Sequence, residues 1–292
     1  MLLIIKVFFA SILFTQHPSV QVDSAPTLRI LTWNIKMLPR ALAHLKHYPI
    51  KRAKHIPAQV LADSVDVVCF QEAFDPKARR IIRKKLKQDF PYMAGPANNW
   101  KPSFKVNSGV MMFSKYPMRQ LGQTKFSTCD KEDCMARKGG LLCEVRKDNR
   151  TYQLLGTHCE AGGTREMKIS QFYELKNLAD QHYSDTVVQF FCGDFNCKKN
   201  DTILYPKLVE AIDAEDGEIT GEWQCTTDHR YCDMNDMKPN GKQNVIDFVF
   251  VRKKQNHQYT SQRYVRKYTQ LWDKKHKDLS DHYAVYMVYT CK

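Results

Sequence analysis

The sequence predicts one mixed α/β domain running from about residue 26 to residue 292. Two observations predict it. Short apolar runs rich in β-branched and aromatic residues recur along the whole chain, with helical patterns between them. No Gly-, Ser- or Pro-rich linker, internal repeat or low-complexity tract divides the chain.

The runs are residues 28–35, 65–70, 110–113, 141–145, 152–156, 187–192, 246–251 and 283–289. Their length, about 4–8 residues, is that of strands rather than helices. The last alternates Ala284, Tyr286 and Val288 with Val285, Met287 and Tyr289, as in a strand packed on both faces. The clearest helix spans about residues 165–182, where Ile169, Phe172, Leu175, Leu178 and Ala179 share a face and Thr164 is the N-cap. Shorter helices are expected over 57–63 and over 76–90, the latter with Ile81, Ile82, Leu86 and Phe90 as its apolar stripe.

Residues 2–14 are apolar apart from Lys6, start the chain and are followed by Thr15-Gln16-His17-Pro18. They read as a secretory signal peptide ending near Ala25, with an uncleaved anchor as the alternative. Ten cysteines agree with export. Cys129/Cys134 and Cys225/Cys232 are close enough to close small disulfide rings, whereas Cys69, Cys143 and Cys192 lie in apolar runs as buried thiols. Asn149-Arg-Thr and Asn200-Asp-Thr are acceptor sequons for a host that glycosylates. A net charge of +14 calls for an anionic partner, nucleic acid or a membrane surface, and does not choose between them.

The chemistry lies where polar residues interrupt the strands. Asn34 ends the first, Gln71-Glu72 the second and Thr157-His158 the fifth; Asp194 and Asn196 follow Phe190-Phe191-Cys192. Asp247 sits within residues 245–250, and Ser280-Asp281-His282 opens the last run. Strands laid side by side bring these ends to one crevice, where α/β sheets bind ligands. The set is acidic, oxygen-rich and holds two histidines. Oxygen donors suit a hard divalent cation, and a carboxylate beside a histidine orients a general base for water. The combination reads as metal-assisted attack of water on a phosphoester. No Gly-x-Ser-x-Gly elbow, P-loop or dinucleotide glycine motif competes with it.

Residues 31–34, Gln71-Glu72, 156–158, Gly193-Asp194-Phe195-Asn196, 246–248 and Ser280-Asp281-His282 occur in the order of the endonuclease/exonuclease/phosphatase superfamily, which the chain resembles along its whole mature length. Residues 34–39, Glu72-Ala73-Phe74-Asp75, 107–117 and Lys138-Gly139 resemble its neutral sphingomyelinase branch, especially the bacterial sphingomyelinase C type. The resemblance implies a DNase I-like, four-layer sandwich of two mixed sheets flanked by helices. It implies a Mg²⁺ site, able to take Mn²⁺ or Co²⁺, with Glu72 as main ligand and Asn34 beside it. His282 would be the base, oriented by Asp247; Asp194 and Asn196 would position water and phosphoryl oxygens. His158 would serve the transition state or leaving group, and Asp281 would support the metal or the network around it. Phe74 and Lys138 would meet the substrate.

The resemblance also implies that the partner is sphingomyelin in membrane surfaces, with no obligate protein partner and a monomeric chain. Leu271-Trp272, amid Lys274, Lys275 and Lys277, occupies the place of a membrane-entering hairpin; a core tryptophan beside solvated lysines is the other reading. Val106-Asn107 and Pro76 stand where bacterial members carry a second, edge metal site, so a strong site of that kind is not expected here, and the sequence leaves open whether any exists. A secreted nuclease would use the same centre, and an inactive lipid-binding protein the same fold.

Overall fold

Strict alternation along the apolar runs gives each strand two buried faces, and the chain answers by pairing them into two sheets laid face to face. The computed structural model describes residues 25–39, 47–100, 105–234, 241–253 and 258–292. All but the end of the expected signal peptide lies outside them.

In chain order the elements are β1 (Thr27–Met37), α1 (Pro49–Arg52), α2 (Ile56–Ala62), β2 (Val67–Ala73), α3 (Pro76–Leu86), β3 (Tyr92–Ala94), β4 (Met111–Ser114) and β5 (Met118–Lys125). A 3-10 turn, Lys131–Met135, precedes β6 (Gly139–Lys147), β7 (Arg150–His158), α4 (Arg165–Asp180), β8 (Val188–Asp194) and α5 (Leu204–Ile212). The chain continues through β9 (Ala214–Glu215), β10 (Ile219–Thr220), β11 (Thr227–Asp228), β12 (Gln243–Asn244), β13 (Asp247–Arg252), β14 (Tyr259–Arg266) and β15 (Ala284–Cys291).

One large sheet runs β10-β14-β15-β1-β2-β4-β3 and the second β5-β6-β7-β8-β13-β9, while β11 and β12 pair with each other apart from both. Both are mixed: β1 lies parallel to β2 but antiparallel to β15, and β7 parallel to β8 but antiparallel to β6. Ile30, Cys69, Met112, Leu154, Phe190, Val249 and Met287 meet between the sheets. Their odd or even neighbours face outward. Trp33, Val68 and Phe113 pack with Ile56, Val60 and Ile82 of α2 and α3; Phe191, Phe248 and Phe250 pack with Phe172 and Leu208 of α4 and α5. The result is the expected sandwich of helices, sheet, sheet and helices.

The expected helices at 165–182, 57–63 and 76–90 form with shifted ends, and Thr164 caps the first by accepting from the Met167 N–H. Cys129 and Cys134 are joined by a disulfide. Cys225 and Cys232 are not: both stay thiols packed in the outer core beside Trp272 and Tyr283, where the Cys232 thiol donates to the Ser280 carbonyl at 3.4 Å. Cys69, Cys143 and Cys192 are buried thiols as expected.

Candidate active site

The alternation that builds the core also builds the site. Even-numbered residues of β1, β7 and β8 face the other sheet (Ile30, Leu154, Phe190), so Asn34, His158 and Asp194 do too, at the strand ends. In β13 the odd residues Val249 and Val251 face inward, and Asp247 with them. Register completes the row: His158 pairs with Asp194 across β7 and β8, and Asp194 with Asp247 across β8 and β13.

Glu72 is the exception. Alternation would put it on the outer face with Val68 and Phe70, but its backbone is left-handed, with φ of 53°. The β1–β2 register breaks beside it, between Asn34 and Met37. The reversal turns Glu72 into the crevice, where its Oε1 accepts from Asn34 Nδ2 at 2.9 Å. Lys36 and Asn196 also have positive φ, 46° and 47°. Three of the left-handed residues thus lie at the site.

The Asn34 amide donates to Glu72 and, at 3.0 Å, to Asp194 Oδ2, bridging the two sheets. His282 Nδ1 lies 2.9 Å from Asp247 Oδ2, and its Nε2 points toward Asp194 Oδ2, 3.9 Å away. The Trp33 indole donates to the His282 carbonyl at 2.9 Å and fixes the segment. Burial opposes charge on His282, yet Asp247, Asp194 and Asp281 outweigh it and hold the imidazole well above the usual histidine range.

His158 Nε2 faces Asp194 Oδ2 at 3.6 Å and Glu72 Oε1 at 4.0 Å. Burial, and then the Lys138 ammonium, hold this ring well below the usual histidine range. The Asn196 N–H donates to Asp194 Oδ1 at 2.9 Å and its amide to the Cys159 carbonyl at 3.0 Å. Asp281 accepts from Lys36 Nζ at 2.8 Å, which keeps its carboxyl ionised despite burial. It therefore belongs to the supporting network.

The residues fit a divalent cation. Glu72, Asp194, Asp247 and Asp281 converge, while burial pushes the Glu72 carboxyl up and the Asp194 carboxyl to about 7. For these two carboxylates burial outweighs the nearby cations, and oxygen donors on both sheets face the gap between them. Among the described residues, Asp194, Asp247 and His282 also bring ligand atoms within 4.8 Å of one another. As placed, Asn34 presents its NH₂ to the carboxylates while its Oδ1 accepts from the Lys36 N–H. Serving as a ligand requires half a turn of that amide.

The remaining expected residues lie further back. Phe74 is buried against Gly109. Lys138 is buried with its amine on Asp133, His158 and the Cys159 carbonyl, so it bears on the crevice through His158. Leu271 and Trp272 are split: Leu271 is 62% exposed, whereas Trp272 is 7% exposed, donates to the Asp278 carbonyl at 2.8 Å and stacks on His276.

Lys36 and Arg52 belong to the site and were not foreseen. Lys36 was legible, two residues past Asn34 on the same strand. Arg52 carried no such signal.

A family model settles the assignment: the Endonuclease/Exonuclease/phosphatase family matches residues 31–282. The chain belongs to this family. Among curated relatives, it is 26% identical to Sphingomyelinase C of Bacillus cereus, over 91% of each chain. It is also 26% identical to Sphingomyelinase C 2 of Leptospira interrogans over 77% of this chain, but spans only 39% of that relative's length. A solved structure of a mutant beta toxin from Staphylococcus aureus, with bound magnesium ions, superposes with a TM-score of 0.80. The superposition covers 91% of this chain and 100% of the other, at 21% identity, and shows a shared fold.

Proposed function

We infer that this protein is a secreted, Mg²⁺-dependent phosphodiesterase that hydrolyses sphingomyelin at membrane surfaces to ceramide and phosphocholine. The observation that carries the reading is the row His158–Asp194–Asp247 on one sheet, set across the sheet gap from Glu72, Asn34 and His282 on the other. The names of the relatives supply the substrate class, and the bound magnesium of the beta toxin structure supports the cation.

Glu72 and Asn34 would hold the metal, which when bound supplies charge stabilisation at the phosphoryl oxygens. In its neutral form, with Asp247 on Nδ1, His282 would leave Nε2 open to take a proton from water. The water oxygen bonds to phosphorus as the bond to the ceramide oxygen breaks. Asp194 and Asn196 orient the water and the phosphoryl group. His158, backed by Lys138, lines the leaving-group side of the crevice, and the departing ceramide oxygen takes up a proton from solvent. Leu271 is the exposed apolar contact with the bilayer, and Trp272 braces its loop.

The test is phosphocholine release from sphingomyelin liposomes with Mg²⁺ or with EDTA, with plasmid DNA assayed in parallel. Release that EDTA stops, with intact DNA, is expected. His282→Ala should lower the rate by about 10²–10⁴-fold in a folded protein. Nicked DNA with untouched liposomes would replace this reading with a nuclease.

A further inference from the structure

Behind His158 and Lys138 lies a group of residues that the hydrolytic chemistry leaves unused. A disulfide joins Cys129 to Cys134 across the turn Lys131–Met135, and the small ring so closed carries Asp133. Asp133 Oδ1 is 2.9 Å from Lys138 Nζ, while its Oδ2 accepts from the Ala161 N–H at 2.9 Å. Lys138 Nζ in turn lies 3.2 Å from His158 Nε2 and donates to the Cys159 carbonyl at 3.1 Å.

The chemistry of these atoms fixes their roles. An ammonium group has donors only, so His158 Nε2 meets it as an acceptor and the imidazole proton sits on Nδ1. Among the described residues that Nδ1 is buried without a hydrogen-bond partner, so within them the ring is oriented from its Nε2 side. Lys138 is buried, and Asp133 is the carboxylate that directs its amine. The ring also grips the loop after β7. Asp130 Oδ2 accepts from the Gly163 N–H at 3.1 Å, and a Cβ on Gly162 would lie 2.9 Å from the same oxygen. The Cys159 carbonyl that receives Lys138 also receives the Asn196 amide.

We propose that the cross-linked 129–134 turn is a positioning device: it holds Asp133 so that Lys138 keeps His158 turned, as an acceptor, toward Asp194 and Glu72. Asp133 is a positioning residue, and hydrolysis depends on an intact Cys129–Cys134 bond. The inference rests on the reading of the site as a phosphodiesterase.

Reduction of the folded protein tests it without asking a variant to fold. Dithiothreitol supplies two electrons, becoming its cyclic disulfide, and Cys129 and Cys134 become thiols. Cys129 is exposed to the reagent, and the remaining described cysteines are already thiols. Two readouts are taken before and after reduction, and on Asp133→Asn: phosphocholine release, and the ¹⁵N resonances of the His158 ring, which report its tautomer without substrate.

The expected result is a fall in kcat of about tenfold with KM within about twofold, together with mixing of the two tautomers. Asp133→Asn should behave alike, and Asp133→Glu should recover part of the loss. Two liberated thiols with unchanged kcat and unchanged tautomer would overturn the proposal, as would a loss confined to KM. If the untreated protein releases no phosphocholine yet its His158 tautomer shifts on reduction, the functional reading fails and the positioning role stands.

Discussion

Arg52 carries a full charge into the interior, and among the described residues it meets carbonyl oxygens instead of a carboxylate. Its guanidinium donates to Ile35, Lys36, His47 and Leu279, tying the irregular end of β1 to the segment that leads into Asp281 and His282. Burial lowers its pKa to about 10, still high enough for permanent charge. Replacing Arg52 with Met strands these acceptors and should cost about 3 kcal/mol or more in urea unfolding. Lys should not rescue it, because one ammonium cannot span four separated carbonyls. A loss below about 1 kcal/mol would show that water replaces the guanidinium without strain. No sequence pattern could announce Arg52, whose partner Leu279 is 227 residues away. Asn34, Glu72, Asp194, Asp247 and His282, by contrast, each interrupt or abut an apolar strand, where a polar side chain needs a reason.

The same residues set a pH dependence. The folded state raises the carboxyl pKa of Glu72 and of Asp194 and the imidazole pKa of His282. A raised folded pKa favours the folded state below the unfolded pKa, and that contribution is lost as pH rises through the folded value. For Asp194 the window runs from the ordinary carboxylate range to about 7. Metal-free protein should therefore melt at lower temperature at about pH 8 than at about pH 5.5, as these groups lose protons. A cation competes with those protons, so the rise in Tm on adding Mg²⁺ should be larger at the higher pH. Equal Mg²⁺ shifts at both values would mean that these carboxylates do not bind it.

Among the elements, the parallel pair β7–β8 is the one on which the site depends, since it sets His158 beside Asp194. Gly193 has φ of 147°, and a Cβ there would lie 2.1 Å from the Thr157 carbonyl oxygen. Gly193→Ala must push the strands apart next to Asp194. It should cost about 2 kcal/mol or more and remove activity together with stability, seen in thermal melts and turnover. Near-normal turnover would mean that β8 can shift without carrying Asp194 along. Strands with both faces buried were legible as apolar runs. Those with solvent on one side were not: β5, Met118–Lys125, is exposed or half-exposed throughout, and β14, Tyr259–Arg266, puts Tyr259, Ser261, Arg263 and Val265 on its more buried face and Thr260, Gln262, Tyr264 and Arg266 on the other. Their pairing follows from the edge they meet, which local sequence does not encode. The left-handed Glu72 was equally hidden, because alternation predicts the opposite face.

For the whole molecule, the proposed function raises the question of how a chain of net charge +14 would meet a bilayer. Exposed Leu271 lies on the loop that Trp272 anchors, and the Trp272 ring packs 5.9 Å from that of half-exposed Tyr48, over which Lys51 sits at 4.4 Å. With Lys274 and Lys275 in the same loop, this face offers one apolar tip among cations. That composition suits an interface in which the tip enters the headgroup layer and lysines meet phosphates. Burying one Leu side chain supplies about 2 kcal/mol, or more than tenfold in membrane affinity. Leu271→Glu should therefore lower phosphocholine release from liposomes about tenfold while sparing a soluble short-chain substrate. Trp272→Ala should reduce both, since it removes the brace of the loop through which the chain runs to Asp281 and His282. Equal losses on both substrates for Leu271→Glu would mean that the tip serves the fold, and the bilayer contact would have to lie elsewhere on the basic surface.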